Sequence, residues 1–237
     1  MLRKKIFTIY FWALGLNDPF IADGRNLGHY SYLRKFRLLG KWNLIDCGSH
    51  QGKFAEGADR YLDMTSIIFV DPNKDYNYLL REKFPNSTIL NLALSTHQNE
   101  IFYIRNPKNS GQNFISDSIH SNEKVSSISL SNVIDLQNKT PGTKTFLKID
   151  IEGNEIKILK SLQPEVISTL PIISLEITHK INEEDFIGEL DTFLPKEFQF
   201  YRERRFGLVK VNRQKPHWTD TLKLFQNLIL VNTLQIK

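Results

Sequence analysis

Residues 146–162, FLKIDIEGNEIKILKSL, join a short apolar strand that ends on acids to an amphipathic helix, with almost no loop between the two. Because the body of a strand that is covered on both faces excludes charge, Asp150 and Glu152 are expected where this strand leaves the core. A second junction lies upstream at residues 43–52, NLIDCGSHQG, where another apolar strand meets an acid and a glycine-spaced turn. Ligands of open α/β sheets gather at the carboxyl ends of strands, so the two junctions predict two sides of one pocket.

Strands and helices alternate on both sides of this stretch. Apolar runs predict further strands at 42–46, 66–71, 87–92 and 172–177, and helical spacing predicts helices at 26–39, 53–62, 73–84, 154–162 and 183–194. Near the end, a hairpin at 199–202 and 208–211 and a last strand at 227–231 are expected to be antiparallel. The pattern predicts an α/β fold with a mostly parallel sheet, an antiparallel C-terminal edge and helices on both faces.

Between these elements, the sequence predicts one edge strand at 101–104 and a short turn at 131–136. Residues 106–124, NPKNSGQNFISDSIHSNEK, are polar and predict a long loop, either a binding loop or a surface insertion.

The length of 237 residues suits one well-buried domain, which we place at residues 41–237, with an N-terminal helical segment at 1–40 packed on it. The single cysteine, Cys47, excludes an internal disulfide and a cysteine-based zinc cluster, which fits a reducing compartment and predicts a cytoplasmic location. We interpret Cys47 as a small buried hydrophobe rather than a nucleophile. The net charge of +5 suggests an anionic partner, although the basic residues are dispersed.

The segment at residues 2–16, LRKKIFTIYFWALGL, begins with basic residues and continues as an apolar run. It is shorter than the roughly 20 residues that span a bilayer. We expect a helix packed against the domain, with peripheral membrane contact as the second interpretation and a secretion signal as the third.

The turn at residues 46–52 indicates which ligand the pocket takes. Glycines at 48 and 52 permit a tight turn and a close approach of the backbone to a ligand. A dinucleotide turn would begin with a glycine, whereas Asp46 leads this one and suits an amino group. Asp71, at the tip of the next strand, can accept hydrogen bonds from ribose hydroxyls, and Asp71 to Asn73 would also cap a helix well. These features together favour S-adenosylmethionine.

Five stretches, IDCGSHQG at 45–52, FVDPN at 69–73, NLALS at 91–95, LKIDIEGNEIKILKSL at 147–162 and ISLEITHK at 173–180, resemble in this order the FkbM-type methyltransferases. The resemblance covers roughly residues 42–231 and is most specific at KIDIEG. It implies a Rossmann-like class I methyltransferase fold with a seven-stranded sheet whose last strand is antiparallel. It also implies methyl transfer from S-adenosylmethionine to a hydroxyl of a sugar, a glycan or a related natural product.

The resemblance also implies roles for individual residues. Asp150 and Glu152 would flank the sulfonium and the acceptor. The cofactor would bind at its methionine end to Asp46, Gly48 and Gly52, at its ribose to Asp71, near its adenine to Ala93 or its neighbours, and beside its sulfonium to Asp150. Ser49 and Asn73 are further cofactor-binding candidates. The chain departs from the family at residues 129–134, SLSNVI, where many relatives carry paired aspartates. The missing carboxylates are either lost helix caps or a change on the acceptor side.

Methyl transfer to a hydroxyl requires a base and an aligned acceptor. The candidates at neighbouring strand ends are Asp150, Glu152, Glu176 and His179. We favour His179 as the base, because an imidazole titrates near neutrality, with Glu176 orienting it or the substrate; alternatively, His179 is only a polar residue leaving a strand. A divalent metal held by these acids and the histidine is a further alternative, but no spacing requires it and we do not favour it.

Other classes of protein fit the sequence less well. The positive charge motivates a nucleic-acid methyltransferase, which would carry an aromatic residue after the fourth strand to grip a flipped base, whereas residues 150–153 read DIEG. A non-catalytic nucleotide-binding module is the third alternative. A nicotinamide dehydrogenase is disfavoured by the acid that leads the first turn. The favoured partner is therefore a small-molecule or glycan acceptor rather than a nucleic acid.

Overall fold

The computed structural model describes residues 30–96, 101–104, 114–116, 123–137, 140–177, 183–204, 207–213 and 227–236. The strands within these ranges are β1 Lys41–Cys47, β2 Asp63–Val70, β3 Thr88–Leu90, β4 Ala93–Leu94, β5 Ile101–Ile104, β6 Phe114–Ser116, β7 Glu123–Val125, β8 Ser127–Ile128, β9 Thr143–Ile149, β10 Ile172–Glu176, β11 Phe198–Arg204, β12 Gly207–Lys210 and β13 Asn227–Asn232. The α-helices are α1 Lys53–Tyr61, α2 Asn77–Lys83, α3 Leu130–Asp135, α4 Glu155–Lys160, α5 Pro164–Thr169 and α6 Glu183–Asp191, and 3₁₀-helices cover Ser31–Leu39 and Lys74–Tyr76.

The main sheet has eight strands within the described ranges, in the order β12-β11-β13-β10-β9-β1-β2-β3. The strands from β10 to β3 run parallel to one another, whereas β13 is antiparallel to both β10 and β11. The predicted α/β class and the antiparallel C-terminal edge are therefore confirmed. The predicted count of seven strands is one too low, because both arms of the hairpin formed by β11 and β12 belong to this sheet.

Apolar clusters cover the two faces of the sheet. On one face, Tyr32, Leu33 and Phe36 of the first 3₁₀-helix pack with Trp42 of β1 and with residues of α1 and α2. On the other face, residues of α3, α4, α5 and α6 pack against the alternate side chains of the strands. Helices therefore lie on both faces, as predicted. Cys47 is fully buried within the second cluster, as expected for a small hydrophobe.

The segment after β4 differs from its prediction. Strand β5 pairs with β6 on one side and β7 on the other, so it is the centre of a small antiparallel sheet and the prediction of an edge strand is wrong. The predicted loop at 106–124 is wrong at 114–116 and 123–124, which belong to β6 and β7, and the remainder lies outside the described residues. Main-chain groups pair whatever the side-chain polarity, so strands of three residues within a polar stretch are too short to show a pattern.

The predicted turn at 131–136 is instead helix α3. The Ser129 hydroxyl accepts a hydrogen bond from Asn132 N at 3.2 Å and caps its first turn. The buried residues of this helix are Leu130, Val133 and Ile134. A serine therefore provides the cap at the position where the family's aspartates are missing.

At the N-terminal end, the described chain starts at Tyr30, and the 3₁₀-helix Ser31–Leu39 occupies the second part of the predicted helix at 26–39. The indole of Trp42 donates a hydrogen bond to Phe36 O at 3.2 Å and ties this helix to β1. The apolar segment at 2–16 lies outside the described residues, and the division into residues 1–40 and 41–237 stays a prediction. Within the described ranges, no helix is long and apolar enough to cross a membrane.

Candidate active site

The turn that follows β1 closes directly onto the residue that follows β9. Gly48 has φ +73° and Gly52 has φ +74°, the left-handed conformation that glycine adopts without steric cost. Gly48 N donates to Val70 O at 2.8 Å, and Asp150 N donates to Cys47 O at 3.0 Å. A Cβ on Gly48 would lie only 1.6 Å from Asp150 O, so only glycine fits at this position. The structure thus brings together the two junctions that the sequence singled out.

Asp46 is fully buried, which differs from the expectation of an acid at the tip of the strand. The reason is that β1 continues to Cys47, and Asp46 pairs in register with Lys148 of β9. The nearest cation is Lys148, whose Nζ lies 3.2 Å from Asp46 Oδ1. The other oxygen, Asp46 Oδ2, has no hydrogen-bond partner within the described residues.

Lys148 joins the two junctions, and the sequence analysis missed it. Its Nζ lies 3.0 Å from Asp150 Oδ2 and donates to Gly48 O at 2.8 Å, in addition to its ion pair with Asp46. The available signal was a single charged residue within the apolar run at 146–149.

Burial and neighbouring charges shift the pKa values of the acids around Lys148 in different directions. Burial raises the pKa of Asp46, and the ammonium of Lys148 opposes that rise. For Asp150, burial also acts upwards, but Lys148 and a hydrogen bond from Glu176 hold the pKa below its usual value. Burial and the neighbouring Asp150 raise the pKa of Glu176 to about 9. Asp150 is therefore a carboxylate at neutral pH, and Glu176 carries a proton.

Asp71 follows β2 and is held by two backbone amides. Its Oδ2 accepts from His50 N at 2.8 Å, and its Oδ1 accepts from Asn73 N at 2.9 Å. These bonds fix the carboxylate against the turn after β1. The side chain of Asn73, rather than Asp71, provides the helix cap, because its oxygen accepts from Asp75 N at 3.1 Å. Beside them, the rings of His50 and Tyr76 are in contact, with centroids 4.3 Å apart, a pair the sequence did not predict.

Ser49 and Ala93 lie at the margins of this group. Ser49 is only 4% exposed, and its hydroxyl has no hydrogen-bond partner in the described part of the chain. The third parallel strand, β3, ends at Leu90, two residues earlier than predicted. Ala93 starts the separate strand β4, where its amide donates to Ser126 O at 2.9 Å, and its side chain is fully buried. Ala93 therefore does not lie at the tip of a main-sheet strand.

The second junction gathers three acids. Asp150, Glu152 and Glu176 each offer a carboxylate oxygen, and these oxygens lie within 4.8 Å of one another. Carboxylate oxygens at this spacing are compatible either with a bound metal cation between them or with a proton shared by two of them. His179, the favoured base, lies outside the described residues.

Glu155, which the sequence analysis also missed, holds the turn that carries Glu152. It is buried at the start of α4, and its Oε1 accepts from Ile151 N and Gly153 N, each at 3.0 Å. Its Oε2 lies 3.1 Å from Gly153 N. Glu152 has φ +62°, a left-handed conformation that is uncommon outside glycine, and these bonds stabilise it.

A parallel sheet with an antiparallel edge, together with an acid-led glycine turn after its first strand, defines the Rossmann-like class I methyltransferase fold. The family model described as the methyltransferase FkbM domain matches residues 46–206. The chain belongs to this methyltransferase family, which confirms the resemblance. Among curated proteins, none has a sequence that matches this chain significantly.

Several solved methyltransferase structures are distantly similar. A precorrin-6y C5,15-methyltransferase from Geobacter metallireducens GS-15 is 11% identical, with a TM-score of 0.41 over 84% of this chain and 83% of that one. A putative rRNA-methylase from Clostridium thermocellum is 10% identical, with a TM-score of 0.45 over 86% and 93%. The plantazolicin methyltransferase BpumL in complex with SAH is 11% identical, with a TM-score of 0.45 over 96% and 89%. At this distance the likenesses carry no conclusion about substrate.

Proposed function

We propose that the protein is an S-adenosylmethionine-dependent O-methyltransferase that acts on a hydroxyl of a sugar or glycan, or of a related natural product. One observation carries the proposal: the glycine turn after β1 lies against Asp150, where a Cβ on Gly48 would be 1.6 Å from the Asp150 carbonyl oxygen. A cofactor site and a group of acids able to orient a hydroxyl therefore share one edge of the sheet.

The residues at this edge fit the cofactor. Asp46 Oδ2 and Ser49 Oγ are buried polar atoms without a hydrogen-bond partner among the described residues, which native proteins rarely leave unpaired. These atoms and the turn from Gly48 to Gly52 would hold the methionine end, Asp71 would hold the ribose, and Ala93 or its neighbours would lie near the adenine, with Asn73 as a further cofactor-binding candidate. When bound, S-adenosylmethionine supplies a methyl group that its sulfonium activates.

The acids on the acceptor side have separate tasks. Asp150, kept ionised by Lys148, can accept a hydrogen bond from the acceptor hydroxyl and orient it. Glu176, which is protonated at neutral pH and donates its one proton to Asp150, can orient the acceptor through its other oxygen. His179 stays our proposed base for the hydroxyl proton, and Glu152 lines the same turn. A divalent metal is not favoured, because Lys148 and a proton shared between carboxylates account for these charges.

The acceptor class rests on the family resemblance. A nucleic-acid methyltransferase stays the alternative because of the net charge of +5, although residues 150–153, DIEG, offer no aromatic residue to grip a flipped base. A cytoplasmic location, with at most peripheral membrane contact through residues 2–16, stays a prediction.

The test is transfer of tritium from labelled S-adenosylmethionine to a panel of glycans, small hydroxylated natural products and nucleic acids. We expect label in a glycan or another hydroxylated acceptor, and a loss of about 100-fold or more in Asp150→Asn. Asp135→Asn, which changes an exposed acid at the end of α3, is the matched control and should transfer label at the wild-type rate. Label that enters only nucleic acid would overturn the acceptor class, and binding without transfer to any acceptor would favour a non-catalytic module.

A further inference from the structure

Lys148 is a buried cation in a strand that is otherwise apolar at its centre. Only 7% of its surface is exposed, and its neighbours Phe146, Leu147 and Ile149 belong to the core. A buried ammonium is costly unless charged or polar groups surround it, so its presence here requires partners. The structure shows three partners, and all of them belong to the candidate site.

The three partners are one hydrogen-bond acceptor and two carboxylates that form ion pairs with the ammonium group. Gly48 O accepts at 2.8 Å, Asp150 Oδ2 lies at 3.0 Å and Asp46 Oδ1 lies at 3.2 Å. Two of these groups come from the junction after β1, and the third comes from the junction after β9. Lys148 therefore joins segments that lie 100 residues apart in the chain.

We propose that Lys148 is a positioning residue of this site: its ammonium holds the Gly48 carbonyl, Asp46 and Asp150 in one arrangement. The inference rests on the proposed function, because the turn it holds is the one assigned to S-adenosylmethionine. The carboxyl oxygens that Lys148 positions would favour the α-ammonium group at the methionine end of the cofactor.

The charges around Asp46 show what removal of the ammonium would do. Among the described residues, the groups that act on Asp46 are Lys148 and Asp150 from β9 and its end, Cys47 beside it in β1, Asp71 from the end of β2, and Tyr30 from the segment before the 3₁₀-helix. Of these, Lys148 is the cation and the others are acidic. Without it, the pKa of Asp46 rises further, so a smaller fraction of Asp46 is ionised at a given pH and that fraction grows as the pH increases.

The experiment compares variants by calorimetric affinity for S-adenosylhomocysteine from about pH 6 to about pH 8.5, together with label transfer. Lys148→Met removes the charge, Lys148→Gln removes it but keeps a hydrogen-bond donor, and Lys148→Arg keeps it. Lys144→Met is the matched control, since Lys144 is a partly exposed lysine on the same strand and the same face. Melting curves establish that each variant is folded.

We expect Lys148→Met and Lys148→Gln to bind about tenfold or more weakly at pH 7 and to recover as the pH rises, while the wild type changes little. Lys148→Arg should bind within a few fold of the wild type, and Lys144→Met should be indistinguishable from it. If Lys148→Met does not fold, the comparison with the wild type uses Lys148→Gln. A loss of affinity in Lys148→Arg equal to that in Lys148→Gln would also overturn the assignment. A folded neutral variant with wild-type affinity and pH profile overturns it outright. If the wild type itself fails to bind, the proposed function fails first, and that result is separate from any difference between variants.

Discussion

Replacement of Gly48 by alanine tests directly whether the two junctions touch. The substitution places a residue with a side chain at φ +73°, which costs about 1 kcal/mol for an L-residue other than glycine. It also places a Cβ at 1.6 Å from Asp150 O, so that either the turn after β1 or the backbone after β9 must move. Overpacking of this kind costs about 1–3 kcal/mol, so the expected total is about 2–4 kcal/mol.

The chain offers two glycines that separate these contributions. Gly142 has φ +80° and no heavy atom within 4 Å of an added Cβ, so Gly142→Ala should show the conformational cost alone, about 1 kcal/mol. Gly188 lies inside α6 with equally open space, and Gly188→Ala should stabilise the protein by about 0.5–1 kcal/mol. Urea unfolding gives the free energy of unfolding of each variant. The difference between Gly48→Ala and Gly142→Ala isolates the cost of the clash with Asp150 O.

The same displacement should weaken the affinity for S-adenosylhomocysteine in Gly48→Ala but not in Gly142→Ala, because only Gly48 lies in the turn assigned to the cofactor. If Gly48→Ala unfolds at the same urea concentration as Gly142→Ala and binds as the wild type does, the contact between the two junctions is refuted.

Three other predictions follow from the acids of the site. Because the pKa of Glu176 in the folded protein is raised to about 9 from an ordinary value of 4.5, the stability that Glu176 contributes is present below about pH 4.5 and is lost as the pH rises towards 9. Over this window the melting temperature of the wild type should fall more than that of Glu176→Gln. Parallel curves of melting temperature against pH for the two proteins would contradict the shift. Glu155→Ala removes an acceptor of two backbone N–H groups and should lower the free energy of unfolding in urea by about 1–3 kcal/mol. Glu165 is exposed on α5, so Glu165→Ala should change this free energy by no more than about 0.5 kcal/mol. Equal effects of the two substitutions would contradict the role given to Glu155. Label transfer should be undiminished by EDTA, and a loss that Mg²⁺ or Mn²⁺ restores would show that a metal takes part.

The parallel core of the fold was readable from the sequence. The apolar runs that became β1, β2, β9 and β10 are visible because burial on both faces favours apolar residues over most of their length. The strands β5, β6 and β7 were misread, because their pairing depends on main-chain hydrogen bonds between segments that lie apart in the chain. A local pattern of polarity contains no record of such pairing.

The site was readable only in part, for a related reason. Acids at strand ends stand out against apolar runs, so Asp46, Asp71 and Asp150 could be named before their positions were known. Lys148 could not be assigned, since two of its partners lie about 100 residues upstream and only the parallel register of β1 and β9 brings them together. Glu155 bonds amides two and four residues before it, so its role was a local one that its place in a helical pattern concealed.

The buried charges also argue that function, rather than folding, maintains this arrangement. An ion pair taken from water into a protein interior often stabilises less than well-packed apolar side chains of the same volume. The remaining residues at the centres of β1 and β9 carry no charge, and the apolar Leu44 and Phe146 occupy the same face as Asp46 and Lys148. A sheet selected only for stability would continue that apolar pattern to the ends of the strands. The charges instead begin where a ligand would bind, which is expected if the oriented carboxylates there serve a cationic cofactor and the hydroxyl that receives its methyl group.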